Sequence, residues 1–509
     1  MKLNKLWLAA ILGAQLTFTA LAADGTNDTN RDADIEALKQ QLRELSQKVQ
    51  TLESQRAVDQ QTATEAAKVQ NQELDQKVRI LARERELDQE AAAAAAKTQP
   101  KLTVGPGGFI ASSADSNFVF RLNGLVQVDS RTFFDDTAIK SNDGFLLRRA
   151  RPIFQGTVYR DFDFVFVPDF GGSSVQIFDA YANYRYEPWA QIRAGKFKTP
   201  EGLEQLQADV NTAFNERSLV TDLVPNRDVG IQFWGDIDGG VLSYAAGIFN
   251  GVGDSRNSNN SAFENEIEFA GRLFAQPFKN SDITALQGLG FGIAGTSQNG
   301  TSAVNDLPNN TGGSLPGYST DGQQQFFAYN PSNRVVTASG EHWRLSPQGY
   351  YYYGPLSLLG EYAISHQGVK STSSSAPKVE NASLNNTAWE ISGGWVLTGE
   401  NASFTGVTPL HPFDPHLGQW GALQVVARYA ELNIDDNAFK YFANPATSAS
   451  AAQAWSAGLN WFLNKNIRLN ASFSHTTFTG GGNSKATTAP GVVTRQPENV
   501  FFTRIQLAF

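Results

Sequence analysis

Residues 500–509 read Val500-Phe501-Phe502-Thr503-Arg504-Ile505-Gln506-Leu507-Ala508-Phe509. Successive side chains of a strand point to opposite faces. Phe501, Thr503, Ile505, Leu507 and Phe509 therefore share one face, and Phe502, Arg504, Gln506 and Ala508 share the other. A greasy face opposite one carrying Arg and Gln suits a strand with hydrocarbon on one side and water on the other. The stretch predicts the closing strand of a bacterial outer-membrane β-barrel. Phe509 stands where the barrel assembly machinery reads a terminal aromatic as an assembly signal.

The opposite end agrees. Lys2 and Lys5 form a basic start, residues 6–21 an apolar core, and Ala20-Leu21-Ala22 a small-residue cleavage site. Residues 1–22 thus read as a secretory signal peptide, with the mature chain beginning near Ala23. No other segment reaches the roughly 18 to 20 continuous apolar residues of a membrane-spanning helix, and the mean hydropathy is -0.32. A barrel escapes that test, because only alternate strand residues meet lipid. The chain has no cysteine, which excludes disulfides, thiolate nucleophiles and thiolate metal sites together.

The formal charge is -9 over 509 residues. Residues 1–97 hold 13 basic and 15 acidic side chains, and residues 98–509 hold 28 and 35, so the barrel portion is itself net -7. Any preference for anions must come from local placement, since net charge sets long-range fields and solubility rather than a site.

The chain divides at Pro100. Residues 34–96 contain neither proline nor glycine, and Ile35, Leu38, Leu42, Leu45, Val49 and Leu52 recur at alternating steps of three and four. That is an a/d seam, so residues 23–97 are expected to form a periplasmic coiled-coil segment that self-associates in parallel. Arg56 and Asp59 then fall on the seam, and a displaced seam resumes at Leu74, Val78 and Leu81, which predicts a stutter-like break. Residues 91–96, followed by Lys97-Thr98-Gln99-Pro100, read as a frayed end and hinge.

After Pro100 the apolar period becomes two. In 118–131, Phe118, Phe120, Leu122, Val126 and Val128 alternate with Arg121, Asn123, Gln127 and Asp129; in 161–170, Phe162, Phe164, Phe166 and Phe170 alternate with Asp161, Asp163 and Asp169. Similar segments recur near 145–159, 175–186, 190–198, 229–236, 241–249, 265–275, 287–298, 341–353, 355–367, 385–399, 419–433, 451–463 and 466–479. With 500–509 these make 16 antiparallel strands, an even number of the size that encloses water. Trp389, Trp395, Trp420, Trp455, Trp461 and Tyr350 to Tyr353 read as interfacial girdle residues. The Asn/Ser/Gly-rich stretches 251–261, 298–333 and 370–386 read as extracellular loops, and Arg160-Asp161 and Tyr353-Gly354-Pro355 as periplasmic turns.

Several motifs, in order, carry a family resemblance. They include Phe145-Leu146-Leu147-Arg148-Arg149-Ala150-Arg151, Tyr159-Arg160-Asp161-Phe162-Asp163-Phe164, Phe178-Asp179-Ala180-Tyr181 and Arg193-Ala194-Gly195-Lys196-Phe197-Lys198-Thr199-Pro200-Glu201-Gly202-Leu203-Glu204. Asn215-Glu216-Arg217-Ser218, Gly271-Arg272-Leu273-Phe274, Pro412-Phe413-Asp414-Pro415 and Gly458-Leu459-Asn460-Trp461-Phe462 extend the set. Together they resemble the phosphate-selective porin O and P family over about residues 100 to 509. The resemblance implies a trimeric 16-stranded porin of the outer membrane, with an inward loop at 199–228 forming a constriction. It also implies an anion site at Arg148, Arg149 and Arg217, with Asp179 orienting the basic cluster.

Parity alone reaches part of that site. If Gln155 and Thr157 face the lumen, so do Arg149 and Arg151, while Phe154 and Val158 face lipid. Arg148 then has the wrong parity and requires a bulge or a rim position. A competing reading makes these arginines wall-stiffening partners of Asp161, Asp163 or Asp209. Strongly phosphate-selective relatives carry a lysine after Gly-Leu-Glu and an arginine ladder on a long loop. Here Gln205 follows Glu204, and Arg334 is the only basic residue between Thr296 and Gly340, which leaves a general solute porin open.

Other classes have less support. His342, His366, His411, His416 and His475 lie in unrelated segments without a serine partner pattern, so no enzyme, cofactor or metal site is expected. The prolines of His411-Pro412-Phe413-Asp414-Pro415-His416 favour a turn. Phosphate-binding glycine loops and nucleic-acid stripes are absent. An envelope tether, in which the coiled coil grips cell wall, remains a distinct alternative.

Overall fold

A computed structural model describes residues 28–134, 141–172, 174–258, 267–300, 315–331, 333–373, 378–482 and 494–509. The signal-peptide reading lies outside them. Two compact units are resolved, residues 1–95 and 96–509. Over its described residues the first is one continuous helix, α1 (Asp28–Thr98). At about 1.5 Å per residue it is about 105 Å long. The seam shift near Arg56 does not interrupt it, because a stutter alters supercoiling and leaves the backbone bonds intact. The fraying expected at residues 91–98 is not observed; the alanines there are strong helix formers. The seam is bare in the single chain, with Leu38, Leu42 and Leu45 each about two-thirds exposed.

The second unit is a closed barrel. Its strands are β1 (Val119–Phe134), β2 (Gly144–Val158), β3 (Phe162–Asp169), β4 (Gln176–Glu187), β5 (Ala190–Lys198), β6 (Arg227–Ile237), β7 (Leu242–Phe249) and β8 (Glu268–Ala275). They continue with β9 (Leu289–Gly300), β10 (Arg334–Tyr353), β11 (Leu356–Ser373), β12 (Val379–Val396), β13 (Ala422–Asn433), β14 (Ala449–Phe462), β15 (Ile467–Gly480) and β16 (Glu498–Ala508). Each pairs antiparallel with its chain neighbours, and β16 closes on β1 from Ala508↔Leu125 to Asn499↔Phe134. All 16 strand positions expected from the period of two are occupied. The alternation is imposed by the two solvents: in β16, Phe501, Ile505 and Leu507 are exposed on the outside, while Phe502, Arg504 and Gln506 are buried inside.

Three expectations fail locally. Residues 370–386 are mostly strand rather than loop, with Lys370 opposite Asn381 and Thr372 opposite Val379. Their Ser/Asn composition reflects a hairpin rising into water, where both faces can be polar. In the run Tyr350 to Tyr353, Tyr353 is exposed, whereas Tyr350 packs inward on Phe274 and Phe404; a period of two cannot put four consecutive residues on one face. Within 298–333, Tyr318, Phe326 and Phe327 are at most 1% exposed, so this part is a packed element. A hairpin, Lys101–Gly105 with Gly108–Ser112, was not anticipated; it pairs with the start of β1 at Phe109↔Leu122.

Two segments fill much of the lumen. Residues 199–226, between β5 and β6, fold inward, and their Leu219, Val220, Leu223 and Val224 pack on Phe326 and Phe327 and on the inner wall at Ala363, Leu384, Ala388 and Ala430. Each loop side chain is at most 1% exposed, and burial of that degree stabilises by about 1.5–3 kcal/mol per side chain. The β11–β13 side of the lumen is thereby plugged with hydrocarbon.

At the closure, Phe509 N–H donates to Gly124 O and Gly124 N–H to Phe509 O, each at 3.0 Å. A Cβ on Gly124 would lie 2.6 Å from the Phe509 ring, so the glycine makes room for the aromatic. Deletion of Phe509 removes both bonds and the ring. Secretion should stay intact while outer-membrane insertion slows; normal amounts of heat-modifiable, surface-exposed protein would show the residue to be dispensable.

Candidate functional site

Two cavities lie against β2–β6, on the wall opposite the plug. One, of about 610 Å³, reaches the long-loop end and is lined by Arg148, Arg149, Arg217, Gln205, Thr320 and Gln323 among others. The other, of about 760 Å³, reaches the short-turn end, where Gly235, Lys465 and Phe509 line it. Arg151, Asp209 and Arg227 line both. These three residues mark the neck between the cavities.

The neck is built from strand registers and one loop. In the β1–β2 ladder Gln127 pairs with Arg149 and Val128 with Leu147, so Arg148 is the extra residue of a bulge. A bulge re-aims a side chain, and here it turns Arg148 inward, resolving the parity conflict. Arg148 forms a fork on Glu216 of the inward loop, Nε to Oε1 at 2.6 Å and Nη2 to Oε2 at 2.9 Å. Arg131 from β1 shares that carboxylate at 3.0 Å.

Asp209 is the centre of the site. Arg149 Nε lies 3.3 Å from its Oδ2, Arg217 Nη1 lies 2.7 Å from its Oδ1, and Arg151 Nη1 donates to Oδ2. Arg151 is also held by Asp169 at 2.6 Å, and Arg149 donates to Gln127 Oε1 at 2.7 Å. Arg217 is fixed a second time by Glu204 O at 3.0 Å and Gln207 O at 2.8 Å. Burial alone would push the Asp209 carboxyl up, but Arg149, Arg217 and Arg151 hold it well below the usual carboxylate range. Glu216 is likewise depressed, Arg148 and Arg131 outweighing its burial. Asp222 behaves oppositely: burial pushes its carboxyl well above the ordinary range, outweighing the Ser319 N–H that it accepts at 3.1 Å, and Asp321 and Asp254 push the same way.

The sequence-derived residues are thus brought together with one qualification. Arg148, Arg149, Arg151 and Arg217 converge on two loop carboxylates, and the cross-bridge to Asp209 is real; Asp163 pairs instead with exposed Arg185 at 2.9 Å. Asp179 does not touch these arginines. It pairs with Arg227, at 3.2 and 3.3 Å, and Phe178 is stacked between the guanidiniums of Arg151 and Arg227, 4.0 and 4.5 Å from its ring centre. Arg227 was missed by sequence reasoning, although it opens the strand that follows the inward loop. Lys198 is another omission; its Nζ caps the carbonyls of Gln205 and Gln207 at 2.7 and 2.9 Å.

The far side of the loop is tied down too. Glu361 accepts from Leu203 N–H at 2.8 Å and Glu204 N–H at 3.2 Å, Arg428 bridges Glu204 and Asp321 at 3.1 and 2.8 Å, and Arg468 donates to Thr212 O at 2.9 Å. The loop therefore spans the lumen from β2 to β15. Among the described residues no group of histidine and acidic side chains could hold a metal ion. His411 and His416 flank a turn in which Asp414 Oδ1 accepts from His416 N–H at 2.9 Å.

The family described as phosphate-selective porin O and P matches residues 120–509. No curated protein matches the chain. Solved structures with a similar trace include the outer-membrane channel DcaP of Acinetobacter baumannii, at TM-score 0.48 and 11% identity, over 79% of this chain and 100% of that one. An anion-selective porin from Comamonas acidovorans aligns at TM-score 0.47 and 11% identity, over 77% and 100%. OmpF of Salmonella typhi, in complex with daunomycin, aligns at 0.45 and 12%, over 80% and 100%.

Asp209→Asn leaves three guanidiniums without their shared charge, and breaking a buried pair this way costs about 3–5 kcal/mol. The loop should become cleavable at Arg217 by a trypsin-like protease while the barrel stays heat-modifiable; parental resistance would show that the apolar plug alone retains the loop. In the parent, the depressed Asp209 and Glu216 contribute stability above the ordinary carboxylate range and lose it only as pH falls through their lowered values. Acid-induced release of the loop, read by cleavage with an acid-active aspartic protease, should therefore begin well below about pH 4.

Proposed function

The chain belongs to the phosphate-selective porin O and P family, and from that premise we propose that it passes small anions, oxyanions such as phosphate among them, through a water-filled channel. Family and fold make it a channel porin of the outer membrane rather than an enzyme. The observation that carries the anion reading is the composition of the neck. Five arginines (148, 149, 151, 217 and 227) line the long-loop cavity against four acidic residues, Asp169, Asp209, Glu216 and Asp222. The excess is positive in a barrel portion of net charge -7.

Locality lets this excess dominate. Charges beyond about 8 to 10 Å are screened at physiological salt, whereas low-dielectric walls focus the field inside a narrow neck. A guanidinium fork can replace part of an oxyanion's hydration shell. Because each arginine already shares a carboxylate, an incoming anion competes for its donors rather than meeting a bare cation. Binding is weakened accordingly, as release from a pore requires. With Gln205 rather than lysine after Glu204 and no arginine ladder, the reading is a small-anion porin with modest phosphate preference. It includes Arg148, Arg149, Arg151 and Arg217 as the constriction and Asp179 as the residue that orients Arg227.

The exposed helix seam supports a homotrimer with a parallel periplasmic helix bundle. A peptide covering residues 23–100 should sediment as a trimer, and a monomer at high concentration would count against autonomous assembly.

In a planar bilayer under a salt gradient, the reversal potential should report anion preference. Replacing Arg149 and Arg217 together by alanine should move it toward cations, with trimer yield near the parental level. Unchanged selectivity in the double variant, or a cation-selective parent, overturns the reading. Gln205→Lys should strengthen phosphate block of chloride current.

A further inference from the structure

We propose that the short-turn cavity is a binding subsite for small organic carboxylates with an apolar body, and that Arg193 is its anion-binding residue. The proposal rests on the anion-porin reading and deepens it. Every neck arginine is paired with a carboxylate, but Arg193 is held differently. Its guanidinium carbon lies 4.5 Å from the ring centre of Tyr181, 4.8 Å from Trp234 and 5.4 Å from Phe197. It has no carboxylate partner among the described residues, and its buried Nε makes no hydrogen bond. Trp234 is in turn fixed by its Nε1–H donating to Asn183 Oδ1 at 2.9 Å. Aromatic faces orient a guanidinium without satisfying its N–H donors, so Arg193 is positioned yet still able to bind.

The carboxylates that line this cavity or act on neighbouring Tyr181 are engaged elsewhere. Asp179 is held by Arg227, Asp163 by Arg185, Asp209 by three arginines, and Asp236 accepts from Ser243 Oγ at 2.5 Å. Across the same cavity Arg272 lies over Phe274 at 4.6 Å and donates to Gln348 Oε1 at 3.3 Å. Among the described residues this second guanidinium has no carboxylate within ion-pair distance, Asp236 and Glu361 acting on it from farther away.

Much of the cavity lining is hydrocarbon, from Ile153, Val165, Val167, Leu206, Val210 and Phe197, beside polar groups such as Asp179, Lys198 and Gln232. The long-loop cavity contrasts with it, its lining being polar or glycine apart from Phe178. A fully hydrated inorganic anion gains nothing from an apolar wall. A carboxylate carrying a ring or short hydrocarbon gains both the guanidinium fork and the burial of its body. At about 760 Å³ the chamber accommodates such a molecule, within the usual range of ligand sites.

The test uses the full-length protein in planar bilayers, with benzoate, benzamide and inorganic phosphate added in turn to a chloride current. Benzoate should half-block at about tenfold lower concentration than phosphate, and uncharged benzamide should not block. Arg193→Gln should raise the half-blocking concentration of benzoate about tenfold and leave that of phosphate unchanged. Phosphate blocking as strongly as benzoate overturns the subsite, as does benzamide blocking equally; these outcomes need no variant. Unaltered benzoate block in Arg193→Gln removes Arg193 from it. The underlying anion reading fails separately, by a cation-selective reversal potential in chloride alone.

Discussion

One carboxylate organises the interior of this barrel. Asp209 accepts from Arg151 and is ion-paired with Arg149 and Arg217 as well, so its partners come from a wall strand and from its own loop. A cluster of three guanidiniums in a partly dehydrated lumen would repel the loop that carries one of them; a shared carboxylate converts that repulsion into attachment. Glu216 repeats the device a few residues on, with Arg148 and Arg131. The loop is consequently pinned to β2 by charge and to β11–β13 by the Leu219–Leu223 hydrocarbon. Charge fixes where the neck lies, and the apolar plug fixes which side of the lumen remains open.

That division is compatible with the proposal that the same arginines serve as scaffold and as filter. Three cations on one anion leave donors in excess, so the pairing that holds the loop does not neutralise the passage. It also sets a limit on affinity, because every anion that enters meets donors already shared.

The barrel was legible because lipid enforces a period of two on every strand, and alternating residues such as Phe501, Ile505 and Leu507 cannot be rearranged without meeting the wrong solvent. The interior was less legible. Ser218-Leu219-Val220-Thr221-Asp222-Leu223-Val224 is too apolar for a loop bathed in water, and that run was the available sign of a plug. Residues 370–386 misled because strands beyond the membrane lose the greasy face that marks them. Arg148 was flagged by its parity, yet only the register shift opposite Gln127 and Val128 shows that a bulge resolves it. Asp179, expected to orient the basic cluster, is paired with Arg227: pairing across β4 and β6 depends on stagger, which no spacing along the chain reveals.

Arginines in this lumen fall into two physical classes, and the difference bears on what crosses it. Those at the neck are paired with carboxylates, so their orientation and their partial neutralisation come from the same contact. Arg193 and Arg272 are oriented by ring faces, which supply direction through the quadrupole; Arg193 Nε makes no hydrogen bond, and Arg272 Nε donates to Gln348 Oε1. An anion moving from the polar long-loop cavity through the neck therefore meets shared donors first, then unshared ones in an apolar setting. A small hydrated ion passes the second stage with little to hold it, whereas an amphiphilic one is retained by both its charge and its body. Selectivity among anions would then be set beyond the neck, in the chamber whose arginines the acidic side chains leave unpaired.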